Sequence, residues 1–176
     1  KISNGSGGLI VFDDGLAGSL DGDIALNVAG LSTSATFGIR INTTIRVINE
    51  TLEINGTPIA VNVPQGRFLR VEAKNVEIDI AGQTLSGNFF FEQRADQSIR
   101  FAASNVALNI GNGVVTIAGG AGDFQINRDG IVGGLSVQTF SFNVPGVTLG
   151  TGEVRVELNT RPQDVTGAFN FGTGPK

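Results

Sequence analysis

The sequence predicts an all-β fold, an antiparallel meander of hairpins, and three observations predict it. Apolar and polar residues alternate with period two in VEIDI (76–80), NVALNI (105–110), TFSFNV (139–144) and EVRVEL (153–158). No stretch repeats apolar residues at i, i+3, i+4 and i+7 for long enough to make a helix, because glycine or β-branched residues interrupt each one. The 26 glycines follow no Gly-X-Y period, so they mark frequent tight turns and exclude collagen. The expected form is an elongated sandwich-like or curled sheet, with an irregular β-solenoid as the alternative.

Taken along the chain, the strands share the pattern apolar-x-apolar-(Asn/Asp)-apolar: IALNV (24–28), IAVNV (59–63), VEIDI (76–80), VALNI (106–110) and FSFNV (140–144). Their starts are 35, 17, 30 and 34 residues apart, too irregular for a β-helix with a single rung length. Asn55-Gly56 and Asn112-Gly113 are dipeptides suited to two-residue type I′ hairpins, which implies antiparallel pairing. Pro64 and Pro145 fall at strand ends, where a missing N–H does least harm. In FFF (89–91) the outer two rings face the side opposite Phe90, so either both sheet faces are covered there or Phe90 is exposed as a contact point. An apolar face needs a second layer, and core packing against the same chain is the expectation for Val76, Ile78, Ile80, Val106, Leu108 and Ile110.

Composition narrows the function. Cys, His, Met, Trp and Tyr are absent, which removes Cys–His catalysis, Cys/His zinc sites, His or Met haem ligation and disulfides. Charged residues make up 16% of the chain and the net charge is −4, with lysine only at Lys1, Lys74 and Lys176. No basic patch exists to hold nucleic acid or an anionic membrane. No apolar run is long enough for a spanning helix, and the amino-terminal residues do not read as a signal peptide.

The longest-range order is an internal similarity. Residues 1–20 align without gaps to 116–135, matching Ile2 to Ile117, Gly5 to Gly120, Gly7 to Gly122, Asp14 to Asp129, Gly15 to Gly130, Gly18 to Gly133 and Leu20 to Leu135. One inserted residue later NVAG (27–30) meets NVPG (143–146), and Ile39-Arg40-Ile41 then meets Val154-Arg155-Val156. The period is about 115 residues. It divides the chain into the end of one unit (1–45), one full unit (46–160) and the start of the next unit (161–176). Segments 68–93, 98–113 and 135–160 resemble the long tandem repeats of very large secreted or cell-surface bacterial proteins of the repetitive-adhesin class. The resemblance implies an extracellular stalk, spacer, adhesive or matrix segment without catalytic residues or cofactor, whose partners are neighbouring copies joined through end strands.

Candidate chemistry is sparse. Asp13, Asp14, Asp21 and Asp23, with Asp123 and Asp129 in the second copy, offer oxygen ligands of the kind calcium prefers, but without EF-hand spacing. Solvated turns account for them better. Glu77 and Asp79 share one strand face at about 7 Å, the spacing of a glycosidase pair, but the chain has no Trp or Tyr for sugar platforms. Sequons at Asn4, Asn42, Asn49 and Asn55 would accept glycans in a secreted chain. A β-trough that carries lipid in its apolar face, or a filament subunit that exchanges strands, are the alternatives to a stalk repeat.

Overall fold

A computed structural model of the chain describes residues 1–165 apart from 30 and 81. The segment 166–176, expected to open a further unit, and the glycine of NVAG at 30 lie outside the described residues. The strands are β1 (Ile2–Phe12), β2 (Gly15–Val28), β3 (Leu31–Asn42), β4 (Ile48–Ile54), β5 (Thr57–Val63), β6 (Phe68–Ile80), β7 (Gln83–Arg94), β8 (Ile99–Ile110), β9 (Val115–Asn127), β10 (Gly130–Val144) and β11 (Val147–Asn159). Nine of them form one antiparallel sheet in the order β1-β2-β3-β6-β7-β8-β9-β10-β11, and β4 and β5 pair only with each other. At about 4.8 Å per strand the sheet is roughly 40 Å wide. The first and last strands do not pair, so it is an open meander and neither a barrel nor a solenoid.

Local chemistry sets the turns. Asn55 and Gly56 both have positive φ (51° and 75°), the two-residue type I′ turn that their sequence predicts. At Asn112 the expectation fails. Gly111, Asn112 and Gly113 are all left-handed, and the loop from Ile110 to Val115 spans four residues closed by Val114 N–H donating to Gly111 O and Gly113 N–H donating to Asn109 Oδ1. The extra glycine before the Asn-Gly pair is what lengthens it. Asn4, Asn75 and Asn105 also have positive φ, each beside a register shift in its strand. Asparagine tolerates this conformation better than most residues with a Cβ, and such bulges sharpen sheet twist.

The β1–β2 and β9–β10 hairpins share one pairing register displaced by 115 residues: Gly7 faces Leu20 as Gly122 faces Leu135, and Phe12 faces Gly15 as Asn127 faces Gly130. Glycines are required at Gly7 and Gly133, where a Cβ would lie 2.3 Å from Ser19 O and 2.2 Å from Asp123 O. The left-handed Asn4 has its counterpart in Gly119. From the next strand the displacement becomes 117, because Leu20 faces Ile39 whereas Leu135 faces Val156. Ile39 therefore corresponds to Val156, two residues beyond the match to Val154 drawn from sequence; irregular pairing of β10 with β11 between Val137 and Phe142 absorbs the difference.

Cross-strand partners share a face, so the register sorts the side chains. Every charged strand residue of the large sheet projects from one face, while Leu9, Leu20, Ile39, Val71, Phe89, Phe101, Leu108, Phe124, Leu135 and Val156 project from the other. The β4–β5 hairpin folds onto the charged face at its β1–β2 end. There Val61, Val63, Ile48 and Ala17 are buried, with Ile10, Phe12, Leu52 and Phe68 packed around them. Burial of each of the larger side chains stabilises the fold by about 1.5–3 kcal/mol. Asn42 directs the chain out of the sheet: its Nδ2 donates to Arg46 O and Pro64 O, and its Oδ1 accepts from Thr44 N–H and Oγ.

The second layer expected over the apolar face is not present among the described residues. Among the described residues the packed layer is the hairpin, and it lies on the opposite side. Exposed large apolar residues of the large sheet accordingly fall on its apolar face, whereas Ile45, Val47 and Val114 lie in loops and Ile54 ends β4. The physical reason is length: seven-residue β4 and β5 are the only strands outside the sheet, too few to cover nine longer ones.

Two substitutions separate these environments in urea denaturation. Ile48→Ala should cost about 2–4 kcal/mol by leaving a cavity under the hairpin, whereas Val11→Asp, at a position 75% exposed on the apolar face, should stay within about 0.5 kcal/mol.

Candidate functional site

The polar face of the central strands carries an ordered row of charges and rings. Pairing of Arg40 with Arg70, Arg70 with Glu92, and Glu92 with Arg100 sets these side chains side by side across β3, β6, β7 and β8. Arg70 donates through Nε and Nη2 to Glu92 Oε2 at 2.9 and 2.7 Å, and Arg94 donates to Glu92 Oε1 at 2.8 Å. Arg100 holds Asp123 on β9 in the same two-pronged way. Arg40 does not repel Arg70, because it turns to Asp21 on β2 at 2.9 Å.

Phe90 is the one ring of the FFF run on this face. The guanidinium carbons of Arg70 and Arg100 lie 5.4 and 6.0 Å from its centroid, and Arg70 also stacks over Phe68 at 4.9 Å. Both alternatives for this run are thereby replaced, since Phe90 is neither in an apolar layer nor bare. Phe89 and Phe101 stack on the far face with centroids 6.4 Å apart.

Electrostatics follow from this packing. Burial pushes the Glu92 carboxyl up, but hydrogen bonds and charge from Arg94 and Arg70 outweigh it and hold the group below the usual Glu range. The hydrogen bond to Asp123 pushes Arg100 further up, against the opposing effect of burial. Hydrogen bonds from Asn4 and Thr36 lower Asp23, and those from Ser98 lower Asp96. Beside the row lies an open depression of about 380 Å³ lined by Glu72, Lys74, Phe90, Arg100, Ala102 and Asp123. Its two acids face two bases, with Glu72 3.4 Å from Lys74 and Asp123 held by Arg100.

The candidate calcium ligands are dispersed. Asp13 and Asp14 sit in the β1–β2 turn, with Asp14 3.3 Å from Arg46. Asp21 is held by Arg40, Asp123 by Arg100, and Asp23 by Asn4 Nδ2 and Thr36 Oγ1 at 2.7 and 2.9 Å. Asn127 caps the β9–β10 turn, its Oδ1 accepting from Asp129 N–H at 3.0 Å and its Nδ2 donating to Asp129 Oδ2 at 3.4 Å. Among the described residues no three metal-ligating side chains converge. Glu77 and Asp79 share the polar face of β6, but Asp79 accepts from Gly82 N–H and Thr84 Oγ1 and so serves the β6–β7 turn. Of the sequons, Asn42 is fully buried in its turn and closed to a glycan, whereas Asn4, Asn49 and Asn55 are exposed.

No helix among the described residues is long and apolar enough to cross a membrane. Comparison with known protein families, with curated proteins and with solved structures found no match.

The Arg70–Glu92–Arg94 cluster makes two measurable demands. Glu92→Ala should cost about 2–3 kcal/mol, since Glu92 is 5% exposed and its loss strands Arg70, while Arg94→Ala should cost under about 1 kcal/mol. Because the folded-state pKa of Glu92 is depressed, its contribution is fully present above the unfolded value of about 4.3 and is lost as pH falls through the folded one. Denaturant midpoints for the unchanged chain should therefore fall below about pH 4.5 more steeply than those of Glu92→Gln.

Proposed function

We propose that the chain is a non-catalytic structural segment of a large extracellular or cell-surface protein, a stalk or spacer whose single sheet lengthens by addition of like units along one continuous ladder. One observation carries this reading: the path from β1 to the turn after β3 recurs from β9 to the turn after β11. Thr43 Oγ1 accepts from Leu16 N–H at 2.8 Å, and Thr160 Oγ1 accepts from Ile131 N–H at the same distance. Asn42 Nδ2 donates to Arg46 O as Asn159 Nδ2 donates to Gln163 O, and the next Oδ1 contact is likewise repeated at Thr44 and Arg161. A unit then consists of β1 through β8, six strands in the sheet and one hairpin over it, in register with the next unit at the β8–β9 ladder. The reading includes no cofactor or metal, since Asp14, Asp21, Asp23 and Asp123 are each held by an arginine, asparagine or threonine.

The charge-free apolar face favours a second reading, a carrier or docking platform for lipid; stoichiometric lipid released from natively purified protein would select it over the spacer. The spacer reading is tested by inserting a second copy of residues 44–160 directly after Thr160, which keeps the Asn-Thr turn intact. The expected product is a single sheet longer by six strands, about 29 Å, in small-angle scattering, with a higher unfolding midpoint. Two separate bodies, or an unfolded insert, would contradict it.

A further inference from the structure

We infer that the outer edge of β11 is a docking strand for an extended segment bearing basic, acidic and basic side chains at alternate positions, the chemistry of β6. The inference rests on the correspondence of β11 to β3. In the sheet, β3 gives its outer edge to β6, with Arg40 facing Arg70, Gly38 facing Glu72 and Thr36 facing Lys74. At a displacement of 117, the residues of β11 in those places are Glu157, Arg155 and Glu153; all three are exposed, and Arg155 and Glu157 hold each other at 2.7 Å along the strand, a contact that docking would exchange for partners across it.

Each departure from β3 improves the match to a β6-type strand. Glu157 replaces an arginine that faces an arginine, Arg155 replaces a glycine opposite an acid, and Glu153 replaces a threonine opposite a lysine. Three directly opposed pairs of unlike charge result where β3 makes none with β6. On the other face Val154, Val156 and Leu158 would meet Ala73, Val71 and Leu69 in the same register. The pattern also rejects a wrong partner. Two β11 edges meeting antiparallel about Arg155 would set Glu153 against Glu157 and Arg155 against itself, so the exposed edge is protected from its own copy.

The test uses the full chain and two labelled peptides followed by fluorescence anisotropy: one with the sequence of residues 68–80, and one with Arg70→Glu, Glu72→Arg and Lys74→Glu. The chain should bind the first peptide saturably and the second at least tenfold more weakly, and a chain carrying Glu153→Lys, Arg155→Glu and Glu157→Lys should invert that preference. Amides of β11 that point away from β10 should gain protection from hydrogen exchange in the complex. Absence of saturable binding, or equal binding of both peptides to both chains, overturns the inference. Failure here while the inserted copy of residues 44–160 still extends the sheet would leave the spacer reading standing; discrimination here without such extension would overturn the spacer reading alone.

Discussion

The backbone ladder of the nine-stranded sheet is the constraint on which everything else rests. Each strand hydrogen-bonds to the strand before and after it, and the one departure, β3 to β6, occurs because β4 and β5 leave the sheet as a hairpin. Over most of the sheet no second layer of described residues supports the strands, and cohesion there comes from the ladder and from side chains lying next to one another on each face. That arrangement explains the division of labour between the faces. Arg70, Glu92, Arg100 and Asp123 lock neighbouring strands on one side by ion pairs, and Phe89, Phe101 and their apolar neighbours do so on the other.

The hairpin turns this ladder into a unit. Asn42 is fully buried and satisfies both the departing chain at Arg46 and the returning chain at Pro64. Where the hairpin lands a dry core forms, around Val61 and Val63. The counterpart turn at Asn159 makes the same first bonds, to Arg161 and Gln163, which places a second departure point eight elements further along the chain. A sheet that grows by edge addition and is clamped at intervals by a short hairpin suits a spacer, because length is added without changing the local packing.

Much of the fold was legible in the sequence, for reasons that also mark where legibility ended. Period-two runs such as VEIDI and EVRVEL identify strands because alternation is imposed by the pleat itself. Asn55-Gly56 identified a hairpin turn, but the same dipeptide at 112–113 did not fix loop length, since a preceding glycine allowed a third left-handed residue. The bulges at Asn75 and Asn105 were not read, although asparagine inside an alternating run is their signal. The ion-pair row was out of reach because Arg70 and Glu92 are 22 residues apart and meet only through the β6–β7 register. For the same reason Asp21 and Asp23 read as solvated turn residues, whereas they lie within β2 beside Arg40, Asn4 and Thr36. The expected second layer failed on a matter of supply, as the chain spends almost all of its strands on one sheet.

The central claim is one open sheet in which the β1–β2 and β9–β10 hairpins are equivalent and six strand spacings apart. Spin labels on Asp13→Cys and Arg128→Cys, exposed counterparts at the two hairpin tips in a chain without cysteine, measure that separation directly. Pulsed dipolar spectroscopy should give a single distance distribution centred near 29 Å, the span of six strands. A distribution centred near 10 Å, the spacing of two sheets packed face to face, would contradict the open sheet.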